Sequence, residues 1–106
     1  MINEITVEQL KARIDAGERP PVIDVREGWE LDISNLAFAR HIPMGQILAR
    51  IGELDPATPL IIMCRSGGRS MQVTKILETR GFGSVFNLTG GILAWGERID
   101  PSLRSY

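Results

Sequence analysis

The hydrophobic positions of this chain form short apolar runs, separated by stretches of helical spacing. Three of the runs predict strands, at Pro21–Val25, Leu60–Met63 and Val85–Leu88. Continuous apolar runs of this length are typical of strands that are buried on both faces of a parallel sheet. A further short run, Leu36–Ala39, is compatible with a brief edge strand that leads into His41.

The stretches between these runs have apolar residues at helical spacing. Thr6 and Gln9 fit a capping box, so the first element is expected to be a helix of about ten residues that stops at Gly17. Later helices are predicted at Met44–Leu54, Met71–Arg80 and Ile92–Arg98. Strands that alternate with helices form right-handed βαβ crossovers, which predicts a parallel sheet with helices on both faces.

Length, charge and cysteine count narrow the classes of protein. A chain of 106 residues has the length of one domain, so residues 1–106 are expected to form a single domain. Its formal net charge of −1 supplies no overall positive field for nucleic acid or for an anionic membrane. With one cysteine and one histidine, neither an internal disulfide nor a Cys/His zinc site is expected, and no metal or other cofactor is predicted.

The start of the chain and its longest apolar run predict a cytoplasmic protein. Met1–Thr6 lacks a basic segment followed by an apolar one, so no secretory signal is expected there. The longest apolar run, Leu60–Cys64, is far shorter than the ~18 residues of a membrane-spanning helix. In a reducing compartment the single thiol, that of Cys64, would stay free.

Cys64 ends a predicted strand and precedes a predicted helix, which is where open parallel sheets bind ligands. In the loop that follows, Gly67 and Gly68 would let successive N–H groups face one anion, and Arg65 and Arg69 would add positive charge. A lone cysteine at a strand end is more often only a small apolar residue. These glycines, arginines and serines have no packing purpose, however, and such surroundings favour a thiolate.

We therefore predict that Cys64 is a catalytic nucleophile. The residues predicted to bind its substrate are Arg65, Ser66, Gly67, Gly68, Arg69 and Ser70. In cysteine phosphatases the arginine that closes the phosphate cradle lies one residue further from the cysteine than Arg69 lies from Cys64. The tighter loop suits a divalent sulfur, whose transfer would leave a persulfide on Cys64, and a stable leaving anion such as sulfite needs no general acid.

Four segments in order resemble the motifs of the rhodanese family, and together they cover essentially the whole chain. They are Asp24–Glu27, His41–Pro43, Cys64–Ser70, and Asn87–Gly91 with Trp95. The resemblance implies a rhodanese-like α/β fold, a five-stranded parallel sheet with helices on both faces. It also implies a persulfide on Cys64, a small anionic sulfur donor such as thiosulfate or a persulfide donor, and a thiophilic acceptor such as cyanide or a thiol. A sulfur-relay protein is a further partner to consider; nucleic acid and membrane are not expected.

Outside the loop, the candidate residues have structural explanations. Asp24 and Arg26 could support the rim of the site, but they are expected chiefly to pair with each other as a lock at a strand end. His41 is expected to hold a turn by hydrogen bonding, because sulfur transfer needs no base. Trp29 and Trp95 are expected to be packing residues.

Two other functions remain open at this point. A non-catalytic rhodanese-like module that binds proteins is one, and the intact Cys64 with its loop glycines argues against it. A small cysteine phosphatase or arsenate reductase is the other. The short loop and the lack of an Asp general acid near it argue against this second function.

Overall fold

A computed structural model of the chain describes residues 3–106, and its centre is a single sheet of five parallel strands. The strands are β1 (Asn3–Ile5), β2 (Val22–Asp24), β3 (Arg40–His41), β4 (Leu60–Met63) and β5 (Val85–Leu88). Their order across the sheet is β1-β5-β4-β2-β3, so β4 is central and its neighbours are β2 and β5. The predicted fold class, a five-stranded parallel sheet with helices around it, is confirmed.

Helices cover both faces of this sheet. They are α1 (Val7–Asp15), α2 (Gly28–Leu31), α3 (Gly68–Thr79) and α4 (Gly91–Arg98), with short 3₁₀ helices at Met44–Gln46 and Ile51–Glu53. The side chains of β4 alternate between two cores: Ile62 packs with Val73 and Leu77 of α3, whereas Ile61 packs in the core that contains α1 and α4. Because both faces are covered, every residue of β4 is buried, as its uninterrupted apolar run predicted.

The predicted start of α1 is confirmed in detail. The Gln9 backbone N–H donates to Thr6 Oγ1 at 3.1 Å, and the Thr6 N–H donates to Gln9 Oε1 at 2.8 Å. These reciprocal bonds satisfy donors that a helix amino terminus otherwise leaves free. However, α1 is not the first element, because strand β1 precedes it. A three-residue strand is too short to show a hydrophobic period, and its place at the sheet edge comes from pairing with β5.

The edge strand on the other side lies later in the chain than predicted. Leu36–Ala39 forms a turn, with the Ala39 N–H bonded to the Leu36 carbonyl at 3.0 Å, and Arg40–His41 is the strand that pairs with β2. The apolar side chains of this turn contribute to packing instead. Leu36 is buried in the core beside α1, and the Phe38 ring lies 5.4 Å from that of Trp95.

The helix predicted over Met44–Leu54 is replaced by two separate 3₁₀ turns. Their bonds span three residues rather than four, as from the Gln46 N–H to the Pro43 carbonyl at 2.8 Å. Gly45 and Gly52 lie inside the predicted helix and lower its intrinsic stability. Burial of Ile47 and Leu54 still produces the apolar spacing, so the pattern alone resembles that of a continuous helix.

Candidate active site

The candidate site lies where the carboxyl ends of β2, β4 and β5 meet the amino termini of α3 and α4. Cys64 follows β4 directly, and Asp24 at the end of β2 is in register with Met63 of β4. Helix α3 begins at Gly68, three residues earlier than the predicted Met71. Arg65, Ser66 and Gly67 therefore form the loop itself, and Arg69 and Ser70 belong to the first turn of α3.

The two loop glycines differ in conformation. Gly67 has φ of +109°, a value that favours glycine, and it precedes the first residue of α3. Gly68 is not among the glycines of positive φ, because it already belongs to the helix. The conformational freedom expected of both glycines is therefore used at Gly67 and not at Gly68.

The amino terminus of α4 orients the main chain of the loop. The Ile92 N–H donates to the Cys64 carbonyl at 3.0 Å, and the Leu93 N–H donates to the Arg65 carbonyl at 3.1 Å. Gly91, with φ of +57°, permits this approach: a Cβ there would lie 2.6 Å from the Arg65 carbonyl oxygen and closer still to that of Cys64. The carbonyls of Cys64 and Arg65 are therefore bonded to α4.

The sulfur of Cys64 accepts hydrogen bonds from Gly67 and from Ser70. Cys64 is 1% exposed, and its Sγ accepts from the Gly67 N–H at 3.1 Å and from the Ser70 hydroxyl at 3.3 Å. Burial raises the pKa of the thiol, but hydrogen bonds from the Ser70 hydroxyl and from the N–H groups of Ser70, Gly67 and Ser66 outweigh it. The pKa of Cys64 lies below its ordinary value, which favours the thiolate.

Ser70 connects this sulfur to strand β5. Its hydroxyl is also within hydrogen-bonding distance of Asn87 Oδ1, and Asn87 Nδ2 donates to the Gly67 carbonyl at 3.3 Å. A serine hydroxyl has one proton, so it donates either to Asn87 or to the sulfur at any moment. Ser66, by contrast, is exposed, and the site involves its main chain.

Asp24 and Arg26 form the expected buried lock. The Arg26 guanidinium donates to both carboxylate oxygens of Asp24, with Nη2 to Oδ2 at 2.8 Å, and both side chains are almost completely buried. Arg26 Nη2 also donates to the Ser34 carbonyl at 2.9 Å. The Asp24 carboxylate and the main-chain carbonyls thus use the hydrogen-bond donors of this guanidinium.

Arg69 is bound by Glu30, a residue that the sequence patterns did not single out. Arg69 Nη1 and Nη2 lie 2.6 and 2.8 Å from Glu30 Oε2 and Oε1, a bidentate ion pair. The hydrogen bonds from Arg69 hold the pKa of Glu30 at about 2 despite its burial, and Glu30 raises the pKa of Arg69. The Arg69 guanidinium, which was predicted to bind the substrate, is thus bound to a carboxylate.

Arg65 contacts Tyr106, another residue missed from the sequence. Arg65 Nε donates to the main-chain oxygen of Tyr106 at 2.5 Å, and the guanidinium lies 5.0 Å from the centroid of the Tyr106 ring. Within residues 3–106, Arg65 has no ion pair with an Asp or Glu side chain. A tyrosine about forty positions away carries no local signal of such a contact.

The remaining candidates divide between structure and surface. His41 Nε2 lies 2.6 Å from the Arg26 carbonyl oxygen, which agrees with a role in holding the turn. Trp95 is buried in the core, as expected. Trp29 is 62% exposed, and its ring forms a T-shaped contact with Tyr106 at 6.4 Å between centroids, so it packs at the surface rather than in the core.

Across residues 3–106 no group of three His, Cys, Asp or Glu side chains is arranged to hold a metal ion. Over the same range, every helix is too short or too polar to span a lipid bilayer.

Known proteins place the chain in a family. Residues 6–98 match the family model of the rhodanese-like domain. A sulfurtransferase of Allochromatium vinosum is 38% identical over 101 residues, covering 95% of this chain and 94% of that protein. The crystal structure of a rhodanese-like domain protein from Staphylococcus aureus superposes with a TM-score of 0.86 at 28% identity, covering 99% of each chain. The chain belongs to the rhodanese-like domain family.

Some relatives are much longer. The chloroplastic rhodanese-like/PpiC domain-containing protein 12 of Arabidopsis thaliana is 35% identical over 112 residues, which cover 99% of this chain but only 38% of that protein. The rhodanese-like unit therefore occurs both with little else, as in the Allochromatium protein, and as part of larger chains.

Proposed function

We propose that this protein is a sulfurtransferase in which Cys64 carries the transferred sulfur as a persulfide. The observation that supports this most directly is the arrangement around Sγ: N–H and hydroxyl donors face the sulfur, while the carbonyls of Cys64 and Arg65 bond to α4. The same donors that stabilise a thiolate are available to the terminal sulfur of a persulfide anion. Membership of the rhodanese-like family, which includes a sulfurtransferase similar over nearly its full length, supports the same class of activity.

With thiosulfate as donor, the proposed first step is a displacement at divalent sulfur. The Cys64 thiolate attacks the outer sulfur, a new S–S bond forms, and the S–S bond of the donor breaks with its electron pair leaving on sulfite. The thiolate becomes a persulfide anion, and no proton is required. In the second step cyanide or a thiolate attacks the terminal sulfur, and the pair of the breaking S–S bond returns to Cys64 as thiolate.

Arg65 is the proposed contact for an anionic donor. Arg26 and Arg69 are both bound to carboxylates, so much of their charge is already compensated. Within residues 3–106 Arg65 pairs with no Asp or Glu side chain; it contacts the ring and the main-chain oxygen of Tyr106, and it flanks Cys64 in the chain. A guanidinium of this kind can pair with two sulfonate oxygens. Of the predicted binding residues 65–70, Arg65 is thus proposed to bind the charge of the donor. The N–H groups and Ser70 are proposed to bind the transferred sulfur.

The acceptor and setting follow from the same chemistry. A persulfide is attacked by thiophilic nucleophiles, so cyanide, a small thiol or a cysteine of a sulfur-relay protein would serve. The proposed reaction needs no cofactor, and a reducing cytoplasm would keep the single thiol free.

Incubation with thiosulfate followed by intact-protein mass measurement tests the function. The wild-type chain should gain one sulfur, and the Cys64→Ser variant should gain none. The gained sulfur should leave as thiocyanate on addition of cyanide. A wild-type protein that gains no sulfur from thiosulfate or from a low-molecular-weight persulfide would contradict the proposal.

A further inference from the structure

In the segment 101–106, Leu103 lies beside Gly96 of α4 and Tyr106 reaches the candidate site. This side chain bridges the two neighbouring parts of the site, since it contacts both the Asp24–Glu30 stretch and Arg65 of the cysteine loop. The sulfurtransferase chemistry proposed above assigns no role to this residue.

The Tyr106 hydroxyl is fixed by two buried groups. It accepts a hydrogen bond from Arg26 Nη1 at 2.8 Å and donates one to Glu30 Oε1 at 2.9 Å. Arg26 is itself fixed by Asp24, and Glu30 by Arg69. The ring is therefore held at one end by groups that have little freedom to move.

The other parts of Tyr106 occupy Arg65. The ring lies beside the guanidinium, and the main-chain oxygen accepts from both Nε and Nη2. These two N–H groups form one edge of the guanidinium fork, and such an edge can bind two oxygens of a sulfonate. An anionic sulfur donor and the Tyr106 oxygen would therefore need the same N–H groups of Arg65.

We propose that Tyr106 is a specificity-determining gate, an internal competitor that an anionic sulfur donor must displace from Arg65. This inference rests on the proposed function, because it takes Arg65 as the contact for the donor. A sulfur donor that binds only after the segment has moved away from Arg65 has a reduced apparent affinity. The reduction is in proportion to the fraction of molecules in which the segment has moved away. Donors without an oxyanion have no need of Arg65 and are not subject to this competition.

The test measures thiosulfate binding in the Cys64→Ser background, where no sulfur can be transferred. Isothermal titration of thiosulfate should show about 3- to 10-fold tighter binding after Tyr106→Ala, because the ring and hydroxyl contacts that hold the segment are lost. Tyr106→Phe removes only the hydroxyl bonds and should give an intermediate gain. Phe38→Ala is the matched control, since Phe38 is an aromatic residue that packs on Trp95.

A second measurement needs no change at Tyr106. Trp29 touches the edge of the Tyr106 ring, so release of the segment should alter its fluorescence as thiosulfate is added to the Cys64→Ser protein. The change should disappear in a Cys64→Ser/Trp29→Phe protein, which assigns the signal to Trp29 rather than to Trp95. This readout decides the matter if the Ala variant is poorly folded.

Unchanged or weaker thiosulfate binding in both Tyr106 variants would overturn the gate, as would saturation of the Cys64→Ser protein with no change at Trp29. The two proposals fail differently. A wild-type protein that forms a persulfide while its Tyr106 variants show no gain retains its function and loses the gate. A wild-type protein that forms no persulfide from any donor loses the function itself.

Discussion

Two stretches meet at the carboxyl edge of the sheet: Cys64–Ser70 follows β4, and Asp24–Glu30 begins at the last residue of the adjacent β2. Their chemistry is opposite. The first directs main-chain N–H groups and a hydroxyl toward one sulfur. The second presents the carboxylates of Asp24 and Glu30, each paired with a guanidinium. One stretch attracts an anion, and the other compensates the positive charge beside it.

This contrast shows that the count of arginines overstates the positive charge of the site. Three arginines lie at this edge, but Arg26 and Arg69 are neutralised locally by Asp24 and Glu30. Arg65 alone of the three lacks a side-chain carboxylate within the described part of the chain. The electrostatics of the site therefore depends on which pairs form rather than on net composition.

Removal of the thiol should have the largest effect. Cys64→Ser should abolish transfer from thiosulfate to cyanide, by more than about a thousandfold, because a neutral hydroxyl is a poor nucleophile toward sulfur. Thiocyanate formation measures the loss, and circular dichroism should confirm an intact fold. Comparable rates in the two proteins would show that the Cys64–Ser70 stretch does not carry the chemistry.

Breaking the lock in the other stretch should chiefly affect stability. Asp24→Ala leaves the Arg26 guanidinium buried without its carboxylate, which costs about 3 to 5 kcal/mol. Urea unfolding measures the free energy of unfolding. Asp15→Ala is the control, because the Lys11–Asp15 ion pair is exposed and should contribute less than about 1 kcal/mol. If both variants lost an equally small free energy of unfolding, the Asp24–Glu30 stretch would not stabilise the fold as proposed.

The two loop arginines should separate kinetically. Arg65→Ala should lower kcat/KM for thiosulfate by about 10- to 150-fold, mainly through KM, because a charge-assisted contact with the donor is lost. Arg69→Ala should change KM less, since its guanidinium is held by Glu30, and should reduce stability instead. Steady-state kinetics at several thiosulfate concentrations, paired with thermal unfolding, compares the variants. Identical KM changes would contradict the assignment of donor binding to Arg65.

The smallest effect concerns Glu30 and pH. Its folded pKa of about 2 lies below the ordinary value of 4.5, so its contribution to stability is present above pH 4.5 and is lost as the pH falls toward 2. Because Arg69 is about one-third exposed, we expect Glu30→Gln to cost only about 1 to 2 kcal/mol at neutral pH. Urea unfolding across this pH range should show the gap closing as the pH falls. A constant gap would indicate that the carboxylate charge is not what stabilises the pair.

Much of the fold was predictable because its signals are local. The capping box of Thr6 and Gln9, the apolar run of β4 and the run of β5 each lie within a few residues, so propensity and burial act on contiguous chain. Where the local signal was ambiguous, tertiary contacts decided. Leu36–Ala39 is apolar enough for a strand, yet it turns and packs on its neighbours while Arg40–His41 pairs with β2.

The sequence by itself determined the place of Cys64 between a buried strand and a helix, together with Gly67, whose backbone N–H reaches the sulfur. These properties depend on residue type and order, because φ preference and burial act within a single stretch of chain. The family motifs likewise follow from contiguous residues.

Only the tertiary structure decided which charges remain available. Glu30 reaches Arg69 across 39 positions, and Tyr106 reaches Arg65 across 41, so neither pair leaves a trace in local spacing. A parallel sheet brings together the ends of strands that are distant in sequence, and Asp24 thereby comes into register with Met63 beside the cysteine. The residues that can carry the chemistry could be identified from the sequence. The partners that hold or occupy them depend on contacts between distant parts of the chain.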